Sequence, residues 1–257
     1  MASLDYLRLA SYDFFYSSAI ASFMKHWPGG WEHSRWLQYK GWRRGEIFVG
    51  VGEQGKRRHF LTSASGTTSN ELHDFLASWA GLYCTRIDVQ RTIEKPKHAS
   101  LRRIRKSTKT HNTTLIESSE NDTLYIGART SDLFTRLYEK PLDTMYLRLE
   151  FELKGKRART GWGALAHGKT PSDIFTHYLG KSHLPNTVKA WFSEPGDDRS
   201  VEFETEQVTH SAKKKLAWLR SLDASVNQAM ACHEIGTEAR NLIHMWAQEA
   251  DRLDEVD

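Results

Sequence analysis

The segment MYLRLEFELK, residues 145–154, constrains the fold more than any other part of the chain. From Leu147 onward, apolar and charged side chains alternate along it without a break. Successive side chains of a β-strand point to opposite faces, so this period of two predicts a strand with one face in a core. The inward set is Leu147, Leu149, Phe151 and Leu153, and the outward set is Arg148, Glu150, Glu152 and Lys154.

Two further segments are predicted to lie beside this strand. LFTRLYEK, residues 133–140, precedes it across the short turn PLDT, which predicts an antiparallel hairpin. CTRIDVQRTI, residues 84–93, has the same alternation and places Asp88 on its polar side. If the three strands share a sheet with their polar faces together, they form one polar patch. Its members are Asp88, Arg136, Tyr138, Lys140, Arg148, Glu150 and Glu152.

Such a patch has the composition of a phosphodiester-cleaving site. Carboxylate oxygens bind hard divalent cations, so Mg²⁺ or Mn²⁺ is the predicted cofactor. A tyrosine hydroxyl attacks phosphorus to form a covalent ester, while arginine and lysine neutralise the developing charge. The alternative is an ordinary solvated sheet face, on which arginine and glutamate form cross-strand ion pairs. The alternation of apolar and charged residues alone fits both a phosphodiester-cleaving site and a solvated sheet face.

The rest of the chain predicts an α+β fold, an antiparallel sheet flanked by helices. LDYLRLASY, GEIFVGVG and RRHFLTSAS are predicted strands. GVGEQG is interpreted as a hairpin turn, because it lacks the Lys-Ser/Thr of a phosphate-binding loop. Helical spacing dominates from about Ala158, so we expect a sheet core over residues 1–158 and a mostly helical part over 159–257. No internal repeat is evident.

The charge of the chain favours a polyanionic partner. Its net charge is +4 and its pI about 9.0. The segment KHASLRRIRKSTK contains no acidic residue. It is predicted to be a short helix or a mobile arm that contacts DNA phosphates, with a solvated loop as the alternative. Its basic residues are Lys97, Arg102, Arg103, Arg105, Lys106 and Lys109.

Two other classes of protein are not favoured. Cys84 and Cys232 are the two cysteines and have no zinc-ligand spacing, so a structural zinc site is not expected. Two free buried thiols in a reducing cytosol are expected, with one disulfide as the alternative. Asp5, Arg8 and Asp13 interrupt the N-terminal apolar stretch. We therefore expect neither a signal peptide nor a membrane span, and a cytoplasmic protein.

Three segments, in this order, resemble one known family. CTRIDVQ, YIGARTSDLFTRLYEK and YLRLEFELKGKRA are similar to motifs of the replication initiation factor family of rolling-circle plasmids and phages, which includes related relaxases. The likeness covers roughly residues 1–230, with the specific motifs inside 85–158. It implies an endonuclease that nicks one DNA strand through a 5′-phosphotyrosyl intermediate and a divalent metal. The free 3′ hydroxyl then primes replication.

The resemblance also assigns metal ligands. Asp88 and Glu150 match the ligand positions of the family. Gln90 stands near the place where the family often has a second aspartate, so Glu152 is the candidate for that ligand. Where the family has the motif Gly-Ser-Arg, this chain has Gly-Ala-Arg.

The nucleophile and the phosphate contacts follow from the same motifs. Tyr138 is the predicted nucleophile and Tyr125 the second choice. Arg129, Arg136 and Lys140 are expected to steady the phosphate, and Arg148 to contact DNA.

Partners are implied in the same way. They are DNA, as an origin hairpin or a single-stranded nick site, a helicase and a second copy of the chain, in the cytoplasm of a cell that carries the plasmid or phage. Two alternatives stay open at this point. One is a protein of the same fold that binds a DNA site and no longer cuts. The other is a metal-dependent nuclease that uses water as its nucleophile.

Overall fold

The computed structural model describes residues 1–12, 16–54, 57–79, 81–108, 110, 112–119, 121–140 and 143–194. These residues form a large antiparallel sheet with helices, which confirms the predicted α+β class. The helices predicted beyond residue 194, together with Lys109 and Cys232, lie outside the described residues. Cys84, which is described, is a buried free thiol.

Ten strands of the described chain form one sheet. They are β1 Ser3–Ser11, β2 Glu32–Trp36, β3 Tyr39–Arg44, β4 Ile47–Gln54, β5 Arg57–Ser65, β6 Tyr83–Glu94, β7 Thr113–Ile116, β8 Thr123–Ile126, β9 Leu133–Lys140 and β10 Asp143–Lys154. Their order is β2-β3-β4-β5-β1-β6-β10-β9-β8-β7, and neighbours are antiparallel. The predicted hairpin of β9 and β10 is present, and β6 lies on its other side.

Six helices are described with the sheet. They are α1 Tyr16–His26, α2 Thr68–Leu76, α3 Leu101–Ser107, α4 Gly155–Ala166, α5 Pro171–Lys181 and α6 Asn186–Phe192. None of the helices within the described ranges is both long and apolar enough to cross a membrane. The predicted boundary at residue 158 stays a prediction, because residues 195–257 are not described.

One face of the sheet carries a helix layer. The predicted inward set of β10 is fully buried, and Phe151 of that set packs on Phe175 of α5, with ring centroids 5.2 Å apart. His73 of α2 contacts Trp162 of α4, and α1 joins the layer through Phe23 and Phe75. We call the opposite side, which carries Asp88, Glu150 and Tyr138, the open face.

The order of elements occurs twice. β1-α1-β2-β3-β4-β5-α2 is followed by β6-α3-β7-β8-β9-β10-α4. In each half the first strand lies at the centre of the sheet and the other four run outward to an edge, at β2 or at β7. The two halves of the topology are therefore related by an approximate twofold axis that passes between β1 and β6.

Two β-bulges fix the position of this axis. The register of β1 on β6 shifts at Asp5 and again at Thr85, so each strand carries one extra residue. The bulges lie symmetrically on either side of the paired residues Leu7 and Ile87. The axis therefore passes through this pair, and paired residues of β1, β4 and β5 have counterparts in β6, β9 and β10.

A glycine at the end of each half supports the same alignment. Gly66 and Gly155 follow β5 and β10 and have φ angles of +60° and +52°, a region that glycine enters without steric cost. A Cβ atom at Gly155 would also lie 2.7 Å from Oδ1 of Asp132. The alignment that matches these glycines also matches Phe48 of β4 with Phe134 of β9.

The prediction that GVGEQG forms a turn is wrong for its first two glycines. Gly50 and Gly52 lie inside β4; Gly50 pairs with both neighbouring strands and Gly52 pairs with His59 of β5. Aromatic rings lie against the backbone there. A Cβ atom would be 2.6 Å from Cζ of Phe48 at Gly50, and 2.8 Å from Cδ1 of Tyr39 at Gly52. Glycine is required by this close approach and not by a turn.

The turn between β2 and β3 offers a stability prediction. Leu37 has a φ of 52° and is 74% exposed. A non-glycine residue in this region costs roughly 1–2 kcal/mol, so Leu37→Gly is expected to raise the free energy of unfolding by about 1 kcal/mol in urea denaturation. Leu37→Ala keeps the Cβ atom and serves as the control. Equal stability of the glycine and alanine variants would contradict the prediction.

Candidate functional site

The open face aligns the predicted site residues across three neighbouring strands. On β10, Glu152 pairs with Asp88 of β6, and Glu150 pairs with Arg136 of β9. Arg148 pairs with Tyr138 in the same way. Cross-strand partners share a face, so the predicted meeting of these polar side chains is confirmed.

The centre of this patch is buried. Asp88 is 1% exposed and Glu150 is 2% exposed, although no helix of the layer described above lies over them. The side chains at this centre are therefore not solvated, although they form the cross-strand ion pairs of the alternative interpretation. Carboxylates are seldom buried unless they are paired.

Two arginines and one lysine neutralise the three carboxylates. Arg86 donates from Nε to Asp88 at 2.8 Å and pairs with Glu152 at 2.9 Å. Arg136 bridges Asp88, at 3.0 Å, and Glu150. Lys154 pairs with Glu152. Charges of both signs thus alternate over the patch.

The two glutamates of β10 titrate in opposite directions. Burial and the charge of Asp88, only partly opposed by Arg136, raise the pKa of Glu150 to about 8. Burial alone would raise the pKa of Glu152, but the hydrogen bond from Lys154 and the charge of Arg86 outweigh it, and the pKa is lowered. Neighbouring acids with diverging pKa values are typical of acid–base sites.

Glu150→Gln tests this difference through stability. Because the pKa of Glu150 is raised by folding, its contribution to stability is present below about pH 4.5 and is lost as the pH rises through about 8. Glutamine mimics the protonated acid. The variant is therefore expected to gain stability relative to the wild type between about pH 5 and about pH 9, by about 1.4 kcal/mol for each unit of raised pKa. Urea denaturation at both pH values measures the gain.

Glu152→Gln is the matched control on the same strand. Its lowered pKa places its pH dependence below about pH 4.5, where its contribution is lost as the pH falls. Its stability relative to the wild type should not change between about pH 5 and about pH 9. A pH-dependent gain in the control, or none in Glu150→Gln, would be the opposite of the expected result.

Tyr138 lies next to the carboxylates. Its hydroxyl is 3.5 Å from a terminal nitrogen of Arg148, whose guanidinium carbon is 5.9 Å from the ring centroid. Burial raises the pKa of Tyr138, and the charge of Glu150 raises it further against the opposing charge of Arg148. The side chain is therefore a neutral phenol that needs a proton acceptor before it can attack.

Tyr125 and Arg129 form a second aromatic group beside the first. Tyr125 pairs with Arg136 across β8 and β9, and its ring stacks on Phe134 with centroids 5.5 Å apart. The guanidinium of Arg129 lies 5.9 Å from the centroid of Phe134. Tyr125 therefore shares the open face with Tyr138 but lies one strand farther from Asp88.

Sequence reasoning missed three residues of the site. The bulge of β1 places Asp5 and Tyr6 together on the open face, where Tyr6 pairs with Asp88. Arg86 contributes two of the ion pairs, and its guanidinium lies 4.6 Å from the ring centroid of Tyr6. Leu4 and Leu7 are spaced by three rather than two, a signal of the bulge that was available in the sequence.

The described residues do not present a site that fits the predicted metal. No group of three or more aspartate, glutamate, histidine or cysteine side chains in the described part of the chain is arranged to hold an ion. Asp88 and Glu150 share Arg136, which lies where a cation would neutralise them. Carboxylate oxygens are ligands that Mg²⁺ and Mn²⁺ prefer. Here the carboxylates of Asp88 and Glu150 are instead arranged around the guanidinium group of Arg136.

The remaining predicted contacts lie away from this cluster. Lys140 is at the exposed end of β9. The basic segment forms α3, which packs on β7 and β8 near the edge of the sheet. Arg102 there is paired with Glu117, so this residue of the run is neutralised. The exposed basic residues of the segment are Lys97, Arg102, Arg103, Arg105 and Lys106.

Comparison with known proteins supports the fold. No family model matches the chain, and no curated protein matches its sequence. Among solved structures, the chain is similar to a rolling circle replication initiator protein from Geobacillus stearothermophilus, with a TM-score of 0.55 and 15% sequence identity. The similarity covers 70% of this chain and 84% of that protein. At this identity it shows a shared fold.

Proposed function

We propose that the protein is a replication initiator that nicks one strand of DNA, with Tyr138 as its nucleophile. The observation that carries this proposal is the placement of Tyr138, Arg136 and Arg148 beside buried carboxylates on the open face. The fold that the chain shares with a rolling circle replication initiator protein supports it. DNA is the proposed partner, and strand cleavage with later rejoining is the proposed activity.

The proposed reaction exchanges one ester for another. The phenol oxygen of Tyr138 attacks phosphorus, and the bond between phosphorus and the 3′ oxygen breaks. The protein then holds the 5′ phosphate, and the DNA keeps a 3′ hydroxyl. The phenol loses one proton and the 3′ oxygen gains one, so the step is balanced. Because the energy of the ester is conserved, the 3′ hydroxyl can reverse the reaction.

The arginines supply the electrostatic part of the mechanism. Nε of Arg136 is buried with no hydrogen-bond acceptor among the described residues. An unmet buried donor costs about 1–3 kcal/mol, so a phosphate oxygen placed there would be favoured. Arg148, already 3.5 Å from the phenol oxygen, would neutralise the charge that develops as the phenol attacks.

Glu150 is the proposed acceptor of the phenol proton. It is the acid whose charge contributes most to the raised pKa of Tyr138. Its own raised pKa makes it a stronger base than an ordinary carboxylate. The rate of nicking should therefore rise with pH as Glu150 ionises.

Other predicted features are not needed for these steps. Mg²⁺ or Mn²⁺ does not enter them, because the described residues are not arranged to bind it. The metal, a helicase, a second copy of the chain and a cytoplasmic location remain predictions of the family resemblance.

The proposal is tested with a supercoiled plasmid that carries the origin of the genetic element encoding this protein. Purified protein should convert it to open circles, and mass spectrometry should find DNA linked to the peptide that contains Tyr138. The assay is run with Mg²⁺, with Mn²⁺ and with EDTA, so that it also decides the metal requirement. No nicking under any condition would refute the proposal.

A protein that binds a DNA site without cutting it is the second candidate. It is favoured by one observation, the saturation of Asp88, Glu150 and Glu152 by cationic side chains. Site-specific binding without open circles would support it. Nicking that leaves no protein on the DNA, and that survives Tyr138→Phe and Tyr125→Phe, would instead indicate water as the nucleophile.

A further inference from the structure

The first half of the sheet has a counterpart of the candidate site, at the positions given by the twofold axis. The residues there differ in charge and size from those of the second half. The matching positions are Arg8 for Asp88, Ser63 for Glu152, Leu61 for Glu150, Gly50 for Arg136 and Gly52 for Tyr138.

This counterpart cannot cleave DNA by the same route. Glycine stands where Tyr138 and Arg136 would be, and the space over the glycines is filled by Tyr39 and Phe48. Leu61 completes a buried apolar cluster with these two rings. The first half therefore has neither the nucleophile nor the buried carboxylates.

Arg8, however, is a cation held in place without an acid. Its Nε donates to Oγ1 of Thr85 at 2.7 Å, on the bulge of β6, and its guanidinium lies 5.8 Å from the ring centroid of Trp36. No carboxylate among the described residues pairs with it, in contrast to Arg86 and Arg136. Its terminal nitrogens are thus oriented and available to an anion.

Arg8 is part of a row that crosses the sheet. Arg8 pairs with Ser63, Ser63 with Phe48, and Phe48 with Arg43, so all four side chains share the open face. The guanidinium of Arg43 lies 5.7 Å from the centroid of Phe48. Arg43 forms no ion pair within the described residues, although the exposed Glu32 is its cross-strand partner on β2. With strands about 4.8 Å apart, the backbone positions of Arg8 and Arg43 are about 14 Å apart. On its other side, Arg8 pairs with Arg86 at the edge of the candidate site.

We propose that Arg8 and Arg43 form a phosphate-binding track for single-stranded DNA, which leads from the candidate site across the first half of the sheet. The proposal rests on the proposed function for the identity of the polyanion. Arg8 and Arg43, which form no ion pair within the described residues, lie in line with Arg86 and complement a phosphate backbone that crosses the strands, and Trp36 offers an aromatic ring beside Arg8. The first half thus holds the strand that the second half cuts.

The test measures binding rather than cleavage. A fluorescein-labelled single-stranded oligonucleotide is titrated with wild-type protein, Arg8→Gln and Arg8→Lys at several salt concentrations. Arg8→Gln is expected to weaken binding about tenfold and to reduce the slope of log affinity against log salt by about 0.7, the loss of one phosphate contact. Arg8→Lys keeps the charge and should keep the slope.

Arg157→Gln is the matched control. Arg157 also lies over an aromatic ring, that of Tyr178, but it belongs to the helix layer on the opposite side of the sheet. It should bind DNA with wild-type affinity and slope. Wild-type binding by Arg8→Gln would overturn the proposal, and so would an equal loss in Arg8→Gln and Arg8→Lys.

The outcome is separate from that of the nicking assay. A protein that does not nick, but whose binding of single strands depends on Arg8, would refute the proposed function and leave the track intact. A protein that nicks DNA, but whose binding of single strands does not depend on Arg8, would support the proposed function and refute the track. Loss of duplex binding alone would also overturn the track, because a single strand is its stated occupant.

Discussion

Tyr138→Phe is expected to abolish the covalent protein–DNA link and to lower nicking at least about a thousandfold, as removal of an enzymatic nucleophile does. Phenylalanine keeps the ring beside Arg148, whose guanidinium carbon is 5.9 Å from the centroid. It removes a hydroxyl whose one described hydrogen bond is 3.5 Å long. Folding and DNA binding should therefore be unchanged. Plasmid nicking, adduct formation and oligonucleotide affinity are measured on the same preparation.

Tyr125→Phe is the matched control for this result. It retains the stack on Phe134 and loses its hydroxyl on the same face. We expect it to nick and to form the adduct. If Tyr125→Phe loses the adduct while Tyr138→Phe keeps it, the nucleophile is Tyr125. If a third variant, Tyr6→Phe, is the one that loses it, the residue paired with Asp88 carries the reaction.

Asp88→Asn is expected to produce the largest loss of stability. Asp88 is 1% exposed and accepts hydrogen bonds from both Arg86 and Arg136. An asparagine leaves two guanidinium groups around a neutral side chain. Breaking a buried ion pair from one side costs about 3–5 kcal/mol, and urea denaturation should show a loss of this size.

Glu139→Gln is the control for Asp88→Asn. Glu139 pairs with Lys95 near the end of β9, where both side chains are partly exposed. Exposed pairs contribute about 0–1 kcal/mol, so the loss should be small. Adding Arg86→Gln to Asp88→Asn should recover part of the stability, because one unpaired charge is removed. A loss below about 1 kcal/mol in Asp88→Asn would contradict the assignment of Asp88 as the anchor of the network.

This expected loss affects how metal experiments are interpreted. An inactive Asp88 variant does not identify a ligand if the protein has lost the ion network that holds β6, β9 and β10 together. Mn²⁺ titration of the wild type, followed by paramagnetic resonance, measures binding directly. Glu150→Gln is the better variant for comparison, because glutamine can still accept from Arg136 and donate to Asp88.

The sequence predicted the half of the sheet whose strands alternate strictly. In β10 every second residue is apolar, so a single register places Leu149 inside and Glu150 outside. The meeting of Asp88, Arg136 and Glu150 followed from the order and turns of three such strands. The alternation predicts which face of the sheet a side chain lies on, but not how far that side chain is buried. The burial of Glu150 depends on surrounding residues that the alternation does not identify.

The other half was harder to predict because it departs from simple alternation. The bulge in β1 turns Asp5 and Tyr6 to the same side, which a period of two cannot represent. The glycines of β4 have the composition of a turn, yet Gly52 is there because the ring of Tyr39 rests against its backbone. The repeated topology was not visible in the sequence, because matching positions of the two halves carry different residues. The second half has Arg136 and Glu150 where the first half has Gly50 and Leu61.

The central position of β1 also bears on the order of events during synthesis. β1 is the first strand of the described chain, and both its partners, β5 and β6, come much later. Pairings between distant segments form slowly, because the intervening chain must first be closed into a loop. Leu7 and Leu9 can pair with β5 first, but their other partners on β6 become available only after β6 has left the ribosome. The seam between the halves should therefore close after β1 has paired with β5.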